Sequence, residues 1–415
     1  MIGLLGKTLK HSFSKLIHEG ISNEEYALFE VENIEEFFLN KDFNFVNVTI
    51  PYKTKCIEFL DELDEVSKKL NVVNTVINKD GKLYGYNTDY YGMRKSMEFH
   101  KVDFKDKSVL ILGTGASSKT ANLVSLDLGA KNIMFASRNK QKDNELTYDE
   151  IYGYNFDIII NTTPVGMYPN IEDKVLIDFN KMKSVSVVCD LVYNPLYTNL
   201  LIEAKKHNIK IINGLYMLVA QAYMSESLYL NKIFTDEEIF NTYLSLYFKQ
   251  MNIVLIGMPY SGKSTISRCL SSVYNKDVYD TDLIIEEKEN IKISEIFKVF
   301  GEEKFRELEQ NLVDEIYFKN DIIISTGGGM VLNNNVMKKL KNNGIIIYIK
   351  RDIEDVCGNL DDSRPLIKNI DDYKNLYQKR NELYLKYQDI TVLNNKNIGE
   401  VLKEIEVKIY EYLCN

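Results

Sequence analysis

The chain has 415 residues, 45% hydrophobic and 27% charged, with a net charge of −9. At roughly 150 residues per domain the length calls for two to four domains rather than one core, and the composition excludes wholesale disorder. The negative charge argues against a chain-wide grip on nucleic acid or on an anionic membrane.

Short apolar runs alternate with amphipathic stretches along the whole chain, which predicts α/β architecture with mainly parallel sheets. The opening MIGLLGKTLKHSF is too short an apolar run for a signal peptide. No stretch approaches the roughly 18 to 20 apolar residues of a membrane span. The five cysteines are scattered and lack a C-x-x-C pair, and the four histidines form no H-E-x-x-H pattern. A disulfide framework or a structural metal site is therefore not expected. The expectation is a reduced, cytoplasmic protein with no nucleic-acid or membrane partner. Seven of the 51 basic residues are Arg. Each Arg thus marks a candidate position for a flat, forked cation that Lys replaces poorly.

In chain order, the first region carries three polar clusters. HSFSK holds Ser12 and Ser14, NVTIPYK runs from Asn47 to Lys53 and includes Thr49, and VVNTV followed by GYNTD holds Asn74, Thr75 and Asp89. Each alone reads as a turn, a surface lysine or a helix cap.

The buried-strand pattern VLILG then leads into Gly113, Gly115, Ala116, Ser117 and Ser118, where a helix pattern begins. Gly113 permits a tight turn, Gly115 lets backbone approach a pyrophosphate, and the helix N-terminus supplies N–H groups. The pattern fits a dinucleotide site, although a plain strand-to-helix turn accounts for it too. The next strand, NIMFAS, ends in Ser137-Arg138-Asn139-Lys140, with Lys142 beyond. An NAD site usually places an acidic residue there; a hydroxyl and cations suit a 2′-phosphate, so NADP is expected over NAD.

A second strand, NIVLI, leads into Gly257-Met258-Pro259-Tyr260-Ser261-Gly262-Lys263-Ser264-Thr265, a complete G-x-x-x-x-G-K-[ST] turn. Backbone N–H groups of such a turn wrap nucleotide phosphates. Lys263 would reach the β- and γ-phosphates of ATP, and Ser264 would ligate Mg²⁺. Downstream follow Asp280-Thr281-Asp282, then Arg306 and Glu309 three apart on one helix face, where a surface ion pair is one reading. After them come Gly327-Gly328-Gly329 behind the strand IIIST, Arg364-Pro365, and Arg380 with Tyr384.

Taken together, the first half resembles shikimate dehydrogenases. The shared motifs are S-x-S, N-V-T-x-P-x-K, V-N-T, N-T-D, the glycine turn, INTTPVGM, DLVYNPLYT and GLYMLVAQA, over about residues 1 to 250. The resemblance implies a catalytic pair, Lys53 and Asp89. It implies substrate contacts from Ser12, Ser14, Thr49, Asn74, Tyr193 and Gln221, and places Gly214 near the cofactor. Departures are Lys15 where the family usually has Pro, Asn71-Val72 in place of Gly-Ala, and Ser137 and Asn139 beside Arg138. From about 251 to 415 the order of motifs resembles shikimate kinases. That implies Asp282 at the acceptor hydroxyl and as its base, Asp280 organising Mg²⁺ through water, and Arg306 and Arg380 on the substrate carboxylate. It further implies backbone contact from Gly328 and Gly329, and Arg364 brought by a lid to the transferring phosphoryl. The lid segment EDVCGNLDDSRPL lacks the further upstream Arg often found there.

The expected organisation is a substrate-binding α/β domain at 1–101 with residues 223–250 packing back on it, an NADP-binding Rossmann domain at 102–222, and a P-loop kinase domain at 251–415. The expected function is bifunctional: NADPH-dependent reduction of 3-dehydroshikimate, then MgATP-dependent phosphorylation of the shikimate 3-hydroxyl. Three alternatives stay open: one active half beside a binding module, a nucleotide sensor, and quinate as substrate. The sequence assigns no oligomeric state.

Overall fold

The apolar runs read as strands form three sheets in a computed structural model that describes residues 1–9, 13–356, 367 and 369–414. Ser12 and Arg364 lie outside the described residues.

The first sheet contains β1 (Ile2–Gly6), β2 (Tyr26–Glu30), β3 (Phe45–Val48), β4 (Glu62–Leu63), β5 (Thr75–Lys79) and β6 (Lys82–Tyr86), in the order β2-β1-β3-β5-β6-β4. β1 runs parallel to β2 and β3, while β5 runs antiparallel to both β3 and β6. The β5–β6 hairpin turns at Asp80-Gly81, both with positive φ (53° and 83°), as a two-residue turn between right-twisted strands requires. Its helices are α1 (Ser14–Ser22), α2 (Ile34–Asn40), α3 (Glu65–Leu70) and α4 (Thr88–Phe99). Asn71 ends α3 in the left-handed region at φ 52°. Asn tolerates that conformation better than most side chains, so the departure from Gly at this position leaves the turn before Asn74 intact.

The second sheet is wholly parallel: β7 (Ser108–Leu112), β8 (Asn132–Ala136), β9 (Glu145–Leu146), β10 (Ile158–Asn161), β11 (Val187–Asp190) and β12 (Lys210–Ile212). Its order, β12-β11-β10-β7-β8-β9, reverses direction at β7, the topological switch point where doubly wound sheets bind ligands. With it go α5 (Ala116–Asp127), α6 (Asn199–Lys206), α7 (Leu215–Leu230) and α8 (Asp236–Gln250). Val109, Leu110, Ile111 and Leu112 are fully buried, as expected for a strand covered by helices on both faces.

The third sheet is also parallel: β13 (Asn252–Ile256), β14 (Asp277–Asp280), β15 (Ile322–Ser325), β16 (Gly344–Lys350) and β17 (Ile390–Leu393), ordered β14-β15-β13-β16-β17. Around it lie α9 (Lys263–Tyr274), α10 (Thr281–Glu289), α11 (Ile293–Ile316), α12 (Asn334–Asn343), α13 (Ile353–Val356), α14 (Ile370–Tyr387) and α15 (Ile398–Cys414). α11 breaks at Gly301, whose φ is +82°; a helix restarts there and carries Glu302, Arg306 and Glu309. No described helix is long and apolar enough to cross a membrane.

The chain forms two compact units, Met1–Tyr243 and Leu244–Asn415. The division falls inside α8 rather than after residue 250, and its cause is visible on both sides. Upstream, Phe99 stacks on Tyr216 with centroids 4.2 Å apart and meets Phe240 and Tyr243, and Lys95 bonds Asp236 at 2.7 Å. Downstream, Phe248 packs edge-on against Tyr274, and the buried Lys276 Nζ donates to the Phe248 and Met251 carbonyls at 2.9 and 3.1 Å. The segment that returns to the first sheet's helices thus begins earlier than 223, with α7 packed on α1 and α4, and ends at Tyr243.

Candidate active sites

In the first unit, Asn87 opens α4 by accepting from Tyr90 N at 3.1 Å. Asp89 therefore sits in the first helical turn, where the helix dipole favours a carboxylate. Its Oδ2 accepts from Lys53 Nζ at 2.6 Å, and its Oδ1 accepts from Asn74 Nδ2 at 3.0 Å. Asn74 Oδ1 accepts from Thr88 N at 2.7 Å. Gln221 Oε1, on α7, accepts from Asn74 Nδ2 at 3.4 Å and from Thr88 Oγ1 at 3.3 Å. Four chain segments thereby meet around one ammonium–carboxylate pair whose side chains stay 16% and 12% exposed. A cation held in this way can hand a proton to a neighbouring oxygen.

Gly92 makes this convergence possible. A Cβ there would lie 2.6 Å from Met217 O and 2.7 Å from Gln221 Cβ, so only glycine lets α7 approach α4 closely. Ser14 is the buried first residue of α1, and the ring of its neighbour Phe13 meets Tyr193 edge-on at 5.7 Å. Thr49 continues from β3 and packs beside Gly6. Lys15, half-buried, pairs with Glu19 along α1.

The first glycine turn lies at the C-terminal edge of the second sheet. Gly113 has φ +100° and is crowded by Thr162 and Thr163, whereas a Cβ at Gly115 would meet nothing. Gly115 begins α5 without a side-chain cap, and the first turn holds no acidic residue. The N–H groups around Ala116 and Ser117 thus open on a dipole end suited to phosphate. Gly113 N bonds Ala136 O, which sets the turn beside Ser137 and Arg138 at the end of β8. Arg138 and Lys142 are exposed, while Lys140 leans on Glu150. Gly214 N bonds Val192 O at 3.0 Å, and a Cβ on Gly214 would strike the Leu191 carbonyl. The same stretch is pinned by buried Asp190, which accepts from Thr198 Oγ1 at 2.6 Å and Asn161 Nδ2 at 2.9 Å. Burial pushes its carboxyl up to about 6.

In the second unit, Gly257 and Gly262 take φ of +151° and +91° and let the loop wrap inward. Lys263 Nζ donates to the Gly257 and Met258 carbonyls at 2.9 and 2.8 Å. Ser264 Oγ donates to Asp280 Oδ2 at 2.6 Å, while Asp280 Oδ1 caps α10 through Asp282 N at 3.2 Å. The Asp280 carboxylate therefore holds the other candidate Mg²⁺ ligand, Ser264, and places Asp282 in a first helical turn. Tyr260, Ser261 and Thr265 complete the loop, which Asn394 Nδ2 and Arg351 Nη1 brace through the carbonyls of Ser261 and Tyr260 at 2.8 and 3.3 Å. Neither Arg351 nor Asn394 carries a motif that points to this loop.

Opposite lies the acceptor side. Gly327 N donates to Thr281 Oγ1 at 2.9 Å, and a Cβ on Gly327 would come within 2.5 Å of Glu309 Oε1 and 2.7 Å of Asp282 Oδ1. A Cβ on Gly328 would meet Pro259, and one on Gly329 would run into the Arg306 guanidinium. The triple glycine thus exists because two carboxylates, the P-loop and an Arg all press on this backbone. Arg306 donates through Nη2 and Nε to Glu302 Oε1 at 2.7 and 3.2 Å, and through Nη1 to Glu309 Oε2 at 2.5 Å. Glu309 is 2% exposed, so the contact is internal and the alternative of a surface ion pair falls away. Burial pushes Glu309 up to about 7, with Arg306 opposing and Asp282 adding to the rise. Arg380, 5% exposed, bonds Tyr384 and is lowered by burial. Tyr384 OH in turn donates to Gly328 O at 2.5 Å. The Arg306 charge adds to the lowering of Arg380.

Residues 4–76 match the family model for the shikimate dehydrogenase substrate binding domain, and residues 259–410 match that for shikimate kinase. The chain is 41% identical over 252 residues to a shikimate dehydrogenase (NADP(+)) of Caldicellulosiruptor bescii, covering 54% of this chain and 88% of that protein. Among solved structures it is similar to a chorismate mutase/shikimate 5-dehydrogenase fusion protein from Clostridium acetobutylicum, with TM-score 0.55 and 34% identity, covering 59% of this chain and 96% of that one. It is also similar to shikimate dehydrogenase 1 from Peptoclostridium difficile, with TM-score 0.54 and 32% identity, covering 59% and 97%.

Proposed function

We propose, from the premise that the chain belongs to the shikimate dehydrogenase family and carries a shikimate kinase domain, that it performs two consecutive reactions on one metabolite. The first is NADPH-dependent reduction of 3-dehydroshikimate to shikimate. The second is MgATP-dependent phosphorylation of the shikimate 3-hydroxyl. The carrying observation is the presence, in one chain, of the Lys53–Asp89 pair at 2.6 Å and the P-loop facing Asp282, Arg306 and Arg380. We place these reactions in the cytoplasm, in keeping with the scattered cysteines.

In the first site, bound NADPH supplies the hydride that converts the ketone to an alcohol. Lys53 delivers the proton that the resulting alkoxide oxygen needs, and Asp89 holds Lys53 in position and stabilises its charge. Ser12, Ser14, Thr49, Asn74, Tyr193 and Gln221 supply the neutral, directional bonds that a polyhydroxylated acid requires. The uncapped first turn of α5 suits the pyrophosphate, and Arg138 with Lys142 suits a 2′-phosphate.

In the second site, MgATP is the phosphoryl donor. Asp282 accepts the proton of the attacking hydroxyl, while Lys263 neutralises developing phosphate charge. Ser264 and Asp280 suit Mg²⁺, the latter through water. Arg306 and Arg380 take the substrate carboxylate, which replaces the half-exposed Glu302 on the Nε/Nη2 edge, the bidentate face of Arg306. Gly328 and Gly329 offer backbone to the same ligand, and Arg364 would complete the charge around the phosphoryl group.

A panel of NADP or NAD against shikimate or quinate, with ATP-dependent phosphate transfer measured on the same preparation, tests this reading. Turnover of shikimate with NADP and its phosphorylation are expected. Preference for NAD or quinate, or nucleotide binding without turnover, would refute the corresponding part.

A further inference from the structure

Two fully buried ionisable side chains lie behind the dehydrogenase site. His18 on α1 and Glu226 on α7 are each 0% exposed, with Nδ1 and Oε1 2.6 Å apart. Their remaining polar atoms, His18 Nε2 and Glu226 Oε2, have no hydrogen-bond partner among the described residues. A buried pair of ionisable side chains is a poor way to gain stability, since two apolar side chains of similar volume serve as well or better. Its geometry offers another role.

His18 follows Ser14 by four residues, on the same face of α1. Glu226 lies five residues beyond Gln221 on the same helix, α7. The contact thus fixes the rotation and separation of the two helices that present Ser14 and Gln221. It also joins a continuous polar path. The His18 ring stacks on Tyr26 at 4.4 Å and 5°, and Tyr26 OH donates to Asn47 Oδ1 at 2.7 Å. Asn47 Nδ2 donates to Ser225 Oγ at 3.0 Å and Thr75 Oγ1 at 3.1 Å. Both hydroxyls meet Thr88 Oγ1, at 2.9 and 3.2 Å, and Thr88 meets Asn74 at 2.9 Å, the residue that bonds Asp89. Every member of this path from His18 to Asp89 is buried, so displacement at one end is poorly absorbed by solvent.

We infer that the His18–Glu226 pair is a positioning device for the dehydrogenase substrate, holding Ser14 on α1 and Gln221 on α7 at the separation that the polyhydroxylated ligand spans. This rests on the assignment of the first unit as a dehydrogenase.

The experiment uses the full chain. Removing one partner leaves the other buried and uncompensated, which destabilises strongly. The informative variant is therefore His18→Phe combined with Glu226→Leu, compared with Glu226→Gln, whose carbonyl still accepts from Nδ1–H. In the folded double variant the KM for 3-dehydroshikimate rises about tenfold, roughly the binding worth of one hydrogen bond. The KM for NADPH stays within twofold of the parent value. Glu226→Gln restores the substrate KM to within about threefold of the parent value. A double variant with parental substrate KM overturns the inference, as does an equal rise in both KM values. An active parent with an unaffected double variant refutes this inference alone; a parent inactive on dehydroshikimate and shikimate refutes the dehydrogenase assignment and the inference with it.

Discussion

Arg306 and Arg380 are the proposed holders of the substrate carboxylate, Arg380 buried and Arg306 partly so, a task for which Lys is a poor substitute. Arg306→Lys loses the fork that engages Glu302 and Glu309, and Arg380→Lys loses the bond to Tyr384. Each substitution is expected to weaken shikimate binding by about 2 kcal/mol, roughly thirtyfold, with the KM for ATP unchanged in steady-state assays. Glu309 adds a pH signature. Its folded value, about 7, stands above the ordinary carboxyl value. Its proton therefore stabilises the fold fully below the ordinary value, and that contribution is lost as pH rises through about 7. The melting temperature of the transition that MgATP raises should fall between pH 5 and 8, and Glu309→Gln should flatten that fall; an unchanged slope would contradict it. At this scale the polar motifs were legible because catalysis demands particular atoms. The depth of Glu309 was left open, since sequence does not report burial, and Ser225, Arg351 and Asn394 carry no spacing that sets them apart.

Secondary-structure elements meet where small residues allow it. The crossing of α4 and α7 depends on Gly92, and Gly92→Ala places a methyl 2.6 Å from the Met217 carbonyl. That overpacking should cost about 1–3 kcal/mol and raise the KM for 3-dehydroshikimate more than that for NADPH, because Gln221 moves with α7. Calorimetry and initial rates on the same variant check both. The strand and glycine-turn units were legible from apolar runs that end in glycine, with β7 and β13 as the clearest cases. Gly92 was not, since a glycine inside an amphipathic helix reads as tolerated rather than required. The boundary inside α8 also escaped, because the helix pattern continues unbroken from Asp236 to Gln250 while its two ends pack with different units.

For the whole molecule, the central claim is that one chain carries two independent chemistries on successive forms of one metabolite. The order of motifs made this legible from sequence, since each half points to the same small acid. Lys53 and Lys263 serve different units, so their losses should separate cleanly. The decisive measurement supplies 3-dehydroshikimate, NADPH and MgATP to the parent, Lys53→Ala and Lys263→Ala chains and follows NADPH oxidation and shikimate 3-phosphate together. The account predicts that Lys53→Ala abolishes NADPH oxidation yet still phosphorylates added shikimate, while Lys263→Ala oxidises NADPH and accumulates unphosphorylated shikimate. A parent chain lacking either activity, or a single substitution that removes both, would contradict it.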